Sequence, residues 1–329
     1  NDMIKYYKIK NIIKRFKPDI VHTHASKAGF IGRRAAIKSN VPVVVHTFHG
    51  HIFHSYFNKH RTAVFKKLEQ NMAAKSSAIV AISEIQKHEL CHIHNIAAAD
   101  KFRVIPLGFD LDRFQDNYTQ KRIQFRQNYQ LKDQDIAISI IGRLVPVKNH
   151  PLFIKSIAKI KNKTNKKIKA LIVGDGQLRN GLIELAYSLG LSCSIPEKPD
   201  YNADIIFTSW IQEADTVLAG SDITALTSFN EGTPVSLIEA QAANTPIVTT
   251  NVGGIEDVVI KDKTALLTEN DNLDDFSNKL LLLIEDNEMR TEMAKHGWEY
   301  VKHQFHYTRL VSDMKELYNE LLAKKSRNK

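Results

Sequence analysis

Apolar residues recur along this chain in two alternating patterns. Short apolar runs predict buried strands, over 19–24, 41–46, 78–82, 103–108, 136–141, 168–173, 204–207, 223–226 and 265–267, with one more from Ile247. Stretches with apolar residues three or four positions apart predict helices between them, over 3–17, 26–39, 58–75, 150–162, 177–189, 213–219, 273–286, 288–303 and 308–325. Residues 192–203, which include two prolines, are predicted to be a surface loop. This alternation is typical of an α/β protein with doubly wound sheets.

The first predicted element is a helix rather than a strand. A crossover helix needs a preceding strand to pack on, so we expect the N-terminal domain to be incomplete in this chain. At ~30 residues per βαβ unit, roughly 60–90 residues would precede Asn1. A gene that encodes no upstream strand–helix units would disprove this expectation.

Composition and charge narrow the class of protein. The length of 329 residues allows two domains, and 43% hydrophobic with 25% charged residues is ordinary for a soluble globular protein. Two distant cysteines, Cys91 and Cys193, indicate a reducing compartment rather than a disulfide framework. Residues 1–110 hold 18 Lys and Arg against 7 Asp and Glu, whereas the remainder holds 28 against 29. A basic N-terminal third suggests an anionic partner, membrane headgroups or nucleic acid, or else a solvated lysine surface.

The most informative stretch runs over 221–256 and reads as strand, polar loop, helix, strand and Gly-rich turn. Thr233-Pro234 is a helix-start signal, with Thr233 as candidate N-cap. A helix N-terminus presents free N–H groups to phosphate. Glu231 in the loop and Glu239 in the helix can accept hydrogen bonds from hydroxyls on either side of a diphosphate. The spacing alone fits a nucleotide-sugar site and an ordinary βαβ unit equally well.

A second candidate site lies where the strand over 136–141 ends. Gly142 is followed by Arg143 and Lys148, and ligands bind at the carboxyl ends of strands in doubly wound folds. Two cations there can clamp a diphosphate and stabilise the charge of a departing nucleoside diphosphate. Two exposed loop cations are the plainer interpretation of this motif.

Other motifs carry less weight. Gly174-Asp175-Gly176 lacks the third glycine of a dinucleotide fingerprint and predicts a tight strand–helix turn. His49, His51 and His54 lack the spacing of a metal site, and a histidine here suits a hydrogen bond to a substrate hydroxyl. Asp110-Leu111-Asp112 lies at the predicted domain linker, which disfavours a metal–diphosphate role. We therefore predict no metal and no cofactor beyond a nucleotide-sugar substrate.

Taken together, six segments resemble, in order, the retaining GT-B glycosyltransferases of the family-4 class that act in surface-polysaccharide assembly. The segments are HTHASKAGFIGRRAA, HTFHGHIFHSYF, VIPLGFDLDRF, GRLVPVKNH, VGDGQLR and FNEGTPVSLIEAQAANTPIVTTNVGGIEDVV. The resemblance covers nearly the whole chain, but the family's first strand and Gly-rich loop have no counterpart here. It implies two Rossmann-like domains that face a cleft: an N-terminal acceptor-side domain (1–112), a nucleotide-sugar domain (113–300) and a C-terminal helix (301–329) that returns to the first domain.

The resemblance also implies residue roles. His49 would reach the transferred sugar, Arg143 and Lys148 would neutralise the diphosphate, and Glu239 would bind the ribose. The donor sugar would be held by Glu231 with the backbone of Gly232, Thr233 and Pro234, and Val235 would contact phosphate. These nine residues are the predicted site.

The function implied is transfer of a sugar, with retention, from a nucleotide-diphosphate sugar (UDP-linked by expectation) to a lipid-linked or saccharide acceptor. The enzyme would be cytoplasmic and peripheral at the inner face of an anionic membrane, without nucleic acid as a partner. The alternatives are a truncated, non-catalytic nucleotide-sugar-binding relative and a nucleotide-sugar epimerase, although an epimerase needs acid/base residues that we cannot place.

Overall fold

The computed structural model describes residues 2–50 and 59–327, with only the backbone at 59–61. The chain divides into two compact units, the first formed by Asn1–Phe109 with Tyr307–Lys329 and the second by Asp110–His306. The segment 301–329, predicted as one C-terminal helix, is therefore divided between the two units. Residues 301–306 belong to the second unit because they complete its last helix, and the helix that joins the first unit begins at Tyr307.

The elements follow one another as strand–helix repeats. Up to residue 109 they are α1 (Asp2–Phe16), β1 (Ile20–His24), α2 (Ser26–Lys38), β2 (Val43–Phe48), α3 (Lys59–Lys75), β3 (Ala78–Ala81), α4 (Glu84–His88) and β4 (Phe102–Val104). The second unit contains α5 (Tyr118–Asn128), β5 (Ile136–Ile141), α6 (His150–Ile160), β6 (Ile168–Val173), α7 (Arg179–Ser188), β7 (Cys193–Ser194), β8 (Ile205–Ser209), α8 (Ala214–Gly220), β9 (Ile223–Leu226), α9 (Val235–Ala242), β10 (Ile247–Thr250), β11 (Ala265–Thr268), α10 (Leu273–Glu285) and α11 (Asn287–Phe305). Helix α12 (Tyr307–Arg327) ends the chain.

The sheet of the first unit has four parallel strands in the order β1-β2-β3-β4. Alternate residues of β2 face opposite sides, so Val45 packs with Leu317 and Leu321 of α12, whereas Val44 packs with Ile13 of α1. Burying each such aliphatic side chain stabilises the unit by about 1.5–3 kcal/mol. Helix α12 is thus part of this core although the 197 residues of the second unit, Asp110–His306, precede it in sequence.

The sheet of the second unit has seven parallel strands in the order β11-β10-β9-β5-β6-β8-β7. Both faces are covered, since Ile138 of β5 lies in a cluster with Phe153 and Phe276, and its neighbour Ala137 lies in another with Phe125 and Val217. From β5 the chain moves outward through β6, then returns to place β9 on the other side of β5. In doubly wound sheets a ligand crevice opens at such a reversal, at the carboxyl ends of the strands. The loops after β5 and β9 therefore mark the site.

Three predictions of local structure are wrong. Residues 192–203 are not all loop, because Cys193 and Ser194 pair with β8 as an edge strand too short to show alternation. Helix α5 is absent from the predicted elements because most of its residues are polar, and Phe125 and Arg126 anchor it. Thr233 does not cap α9, since Pro234 occupies the N-cap position and no side chain caps the helix.

None of the described helices is both long and apolar enough to cross a membrane. In the same part of the chain, no group of three or more His, Cys, Asp or Glu side chains is arranged to hold a metal ion.

Candidate functional site

The site of the second unit is built from two loops, 142–149 after β5 and 227–234 after β9, which we call the donor loops. Because β5 and β9 are adjacent and parallel, both loops leave the same edge of the sheet. The backbone N–H of Phe229 donates to the carbonyl of Val147 at 2.8 Å, and Thr227 Oγ1 donates to the carbonyl of Lys148 at 2.9 Å. These contacts fix one loop against the other.

Lys148 and Glu231, predicted from separate motifs, meet between the donor loops. Lys148 Nζ lies 2.6 Å from Glu231 Oε1, and the buried Ser228 donates its hydroxyl to the same oxygen at 2.5 Å. Glu231 Oε2 has no hydrogen-bond partner among the described residues, and it is not a fully buried atom. One carboxylate oxygen is therefore held in place and the other is available to a ligand hydroxyl.

The second layer of this site comes from β10 and the turn after it. Thr250 Oγ1 donates to the carbonyl of Ser228 at 2.8 Å, and the N–H of Gly254 donates to the carbonyl of Glu231 at 3.1 Å. Gly253 has a φ of +53°, and a Cβ there would lie 2.0 Å from the Glu231 carbonyl oxygen. Only glycine allows this approach of two backbones, so the turn after β10 supports Glu231 from behind.

Arg143 differs from Lys148 although both follow β5. Its side chain is exposed and has no hydrogen bond or ion pair with any residue of the described ranges. The same loop is fixed by backbone bonds to the turn after β6, where Gly142 N donates to the Val173 carbonyl at 2.9 Å and Leu144 N donates to the Asp175 carbonyl at 2.9 Å. The Gly174–Gly176 motif is therefore a strand–helix turn that braces a donor loop.

Glu239 lies on α9 and has different neighbours from Glu231. Burial raises its pKa, the guanidinium of Arg113 opposes this at 3.8 Å, and Asp215 adds to the rise. Asp215 is itself paired with Lys121 at 2.7 Å. The carboxylate is half-buried yet only weakly paired, which suits an acceptor of hydrogen bonds from a diol.

The start of α9 is open to an anion. Pro234 is buried and extended, with φ −74° and ψ 93°, and the helix begins at Val235 without a side-chain cap. Gly232 is exposed and Thr233 is half-buried beside it. Uncapped N–H groups and the helix dipole both favour a phosphate here.

His49 belongs to the first unit and follows β2. Its Nε2 lies 2.9 Å from His24 Nδ1, and the two rings stack with centroids 5.1 Å apart. His24 in turn stacks on His22 at 4.5 Å. We call His22, His24 and His49 the histidine array. His51 and His54, the other histidines of the motif, lie outside the described residues.

Ser228 and Thr250 are absent from the predicted site, as is the array behind His49. Ser228 lies three residues before Glu231, and this short spacing could have indicated their contact, since a serine hydroxyl can donate a hydrogen bond to a nearby carboxylate. Thr250 and Tyr318, which contact Ser228 and His22, have no such local signal, because these partners lie 22 and 296 residues away in sequence.

Comparison with known proteins identifies two family matches. Residues 121–299 match the family described as "Glycosyl transferases group 1", and residues 1–113 match "Glycosyltransferase Family 4".

Three individual proteins illustrate the similarity. The chain is 30% identical over 326 residues to an Escherichia coli UDP-Gal:alpha-D-GlcNAc-diphosphoundecaprenol alpha-1,3-galactosyltransferase, covering 98% of this chain and 81% of the relative. It is 25% identical over 326 residues to the Staphylococcus aureus capsular polysaccharide biosynthesis glycosyltransferase CapM, covering 98% and 82%. The crystal structure of Anabaena Alr3699/HepE in complex with UDP superposes with a TM-score of 0.81 at 18% identity, over 96% of this chain and 82% of that one.

Proposed function

The chain belongs to the group 1 glycosyltransferases, and we propose that it transfers a sugar from a UDP-sugar to a lipid-linked or saccharide acceptor with retention of configuration. The observation that carries this proposal is the Lys148–Glu231 pair at 2.6 Å, between adjacent loops at the switch point of a doubly wound sheet. A UDP-sugar presents a diphosphate beside sugar hydroxyls, and this pair offers a cation beside a carboxylate.

The donor is held by residues of the second unit. Glu231 Oε2 accepts a hydrogen bond from a sugar hydroxyl, while Lys148 exchanges part of its contact with Glu231 for a phosphate oxygen. Arg143, exposed and without a partner among the described residues, adds a second cation. The open N-terminus of α9 at Val235 takes a phosphate, and Glu239 accepts from the ribose diol.

The acceptor hydroxyl attacks the anomeric carbon of the donor sugar on the same face from which the diphosphate departs. Departure of UDP places negative charge on the β-phosphate, which Lys148 and Arg143 stabilise. The same phosphate oxygen accepts the proton of the acceptor hydroxyl, so no carboxylate nucleophile is needed and configuration is retained. His49 of the first unit stays a predicted contact to the transferred sugar.

The acceptor we propose is a sugar carried on a lipid diphosphate, in surface-polysaccharide assembly at the cytoplasmic face of the membrane. Support comes from the E. coli and S. aureus relatives, whose names include a diphosphoundecaprenol acceptor and capsular polysaccharide biosynthesis.

Helix α1 supports membrane contact. It exposes several apolar side chains between basic ones, and Phe16 is 78% exposed. The exposed apolar residues are Met3, Ile4, Tyr7, Ile12 and Phe16. The basic residues are Lys5, Lys8, Lys10, Lys14 and Arg15. A helix with this composition binds anionic lipid surfaces by apolar insertion and charge attraction.

Vesicle sedimentation tests this membrane contact. We expect binding to phosphatidylglycerol vesicles that falls with salt and is absent with phosphatidylcholine alone. Exchanging Lys5 and Lys8 for Glu should reduce binding by at least roughly 30-fold, since each lysine contributes about 1 kcal/mol. The same exchange at the exposed Lys163 and Lys167 of the second unit is the matched control. Equal losses in both double variants would contradict a role for α1.

The transfer itself is tested with a panel of UDP-sugars and lipid-diphosphate-linked sugars. We expect UDP release that depends on one donor and one acceptor, and a product whose anomeric configuration, read by NMR, matches the donor. UDP binding without release from any pair would favour a non-catalytic binding protein. An inverted product would refute retention.

A further inference from the structure

The histidine array is connected to the C-terminal helix by one side chain. His22 and His24 lie two residues apart on β1, so both rings project from the same face of the strand. His22 Nε2 lies 2.7 Å from Thr47 Oγ1 on β2, and His22 Nδ1 lies 2.6 Å from the hydroxyl of Tyr318 on α12. Both ring nitrogens of the innermost histidine are therefore engaged.

These contacts form a continuous series from α12 to His49. The ring of His22 stacks on His24 at 4.5 Å with an interplanar angle of 22°, and His24 bonds His49 at 2.9 Å. Tyr318 also meets the His22 ring edge-on, at 5.8 Å between centroids. His46 does not belong to this series, because it lies on the other face of β2 and bonds Thr23.

The inner end of the series is uncharged at neutral pH. Burial lowers the pKa of His22 to about 4, with further lowering by His24 and His49, so the ring is neutral at neutral pH. Burial raises the pKa of Tyr318, which keeps its phenol protonated. A neutral imidazole has one donor and one acceptor nitrogen, and a hydroxyl partner at each nitrogen holds the ring in one orientation.

The other residues that α12 buries against the sheet have no such chemistry. Leu317 and Leu321, which flank Tyr318 on the helix, pack in an apolar cluster with Val43 and Val45. The hydroxyl is the feature that core packing does not explain.

We propose that Tyr318 is a positioning residue: through His22 and His24 it holds the imidazole of His49 in the orientation used during sugar transfer. The proposal rests on the proposed function for its consequence in turnover, but the coupling between Tyr318 and His49 is a property of the first unit alone. The C-terminal helix thereby contributes to the chemistry as well as to the core.

Tyr318→Phe in the full chain tests this, because it removes the hydroxyl and keeps the ring. Met314→Ala, one turn earlier on the same helix and packed against the same cluster, is the control for a loss of packing. Histidine ring signals would be followed by ¹⁵N–¹H NMR and assigned from His22→Asn and His49→Asn. We expect Tyr318→Phe to change the tautomer balance of His22 and shift the His49 signal, and Met314→Ala to change neither.

Turnover supplies the second measurement. We expect Tyr318→Phe to lower kcat roughly tenfold with the KM for the UDP-sugar unchanged, since a small misplacement of a positioned group costs rate. An unshifted His49 signal overturns the proposal, and so does a shifted signal with unchanged kcat. An equal effect of Met314→Ala overturns it as well, since the hydroxyl would then have no special role. If the wild-type chain transfers no sugar but the His49 signal still shifts, the proposed function fails and the coupling stands.

Discussion

The two units hold their candidate site residues by opposite means. In the second unit the donor loops are joined by a charged pair, Lys148 and Glu231, with an exposed cation at Arg143. In the first unit the histidine array is joined by ring stacking and a hydrogen bond between rings. The pKa of His49 is lowered by burial and, to a smaller extent, by His24. The difference matches the ligands that we propose: a diphosphate favours fixed positive charge, whereas the sugar hydroxyl proposed for His49 is an uncharged donor and acceptor.

Removing the carboxylate of the second unit should have the largest effect. Glu231→Ala leaves Lys148 without its 2.6 Å partner and removes the acceptor for the donor sugar. We expect kcat to fall by roughly 10²–10³-fold, the size of loss seen when one positioned polar group is removed from a transition state. UDP binding, measured by calorimetry, should change little or tighten, because Lys148 is released to the phosphate. Unchanged transfer would show that Glu231 has no role in the reaction.

Removing the cation should have the next largest effect, and it should act on the nucleotide. For Lys148→Met we expect UDP to bind roughly 10–100-fold more weakly, since a hydrogen bond to a charged group contributes about 1.5–3 kcal/mol. Lys161→Met, which breaks the Lys161–Asp204 pair at 2.8 Å in the same unit, is the matched control. Equal affinities for the two variants would place the diphosphate elsewhere.

Ser228→Ala tests how the second unit holds its carboxylate, because it leaves the charges of Lys148 and Glu231 in place. The buried hydroxyl at 2.5 Å from Glu231 Oε1 is lost, and the carboxylate is then held by Lys148 alone. We expect kcat to fall roughly fivefold, equivalent to about 1 kcal/mol for one hydrogen bond, with UDP affinity unchanged. Ser228→Thr, which keeps the hydroxyl, should recover part of the rate. A loss of UDP affinity instead would mean that Ser228 supports the loop rather than the carboxylate.

The last difference between the two units concerns acid. Burial lowers the pKa of His22 to about 4 and that of His46 to about 3, and in the second unit it lowers the pKa of His150 to about 4. Because each folded pKa lies below the ordinary 6.5, these buried rings carry no penalty above pH 6.5, and they destabilise the fold increasingly as the pH falls toward these values.

The described residues include three histidines of lowered pKa in the first unit (His22, His46 and His49) and one in the second (His150). The first unit should therefore lose more hydrogen-exchange protection between pH 7.5 and pH 5. Each proton taken up on unfolding contributes up to about 1.4 kcal/mol per pH unit. His46→Asn should flatten this dependence in the first unit only, where the ring is fully buried against Gly29. Equal losses of protection in both units would contradict this prediction, and so would a pH dependence in the first unit that His46→Asn leaves unchanged.

Much of this protein was determined by sequence alone. The α/β class follows from the two periods of apolar residues, and strands such as Ile136–Ile141, Ile168–Val173 and Ile223–Leu226 lie where the pattern predicts them, because a strand buried on both faces must be apolar throughout. Lys148 and Glu231 are also candidates from sequence, since each follows a buried strand at the end where such folds bind ligands, and their role in binding stays a prediction. Their residue types and order along the chain carry that information.

Tertiary structure decided which side chains meet. The adjacency of β5 and β9 brings Lys148 to Glu231 across 83 residues, and the return of α12 brings Tyr318 to His22 across 296. The polar helix α5 and the two-residue strand β7 likewise depend on distant partners. Arg126 of α5 bonds Gly220 and Asp222, and Cys193 of β7 pairs with Ile205 of β8. Local patterns report which face of an element is buried, but strand order and the packing of remote helices arise from contacts that no short window contains.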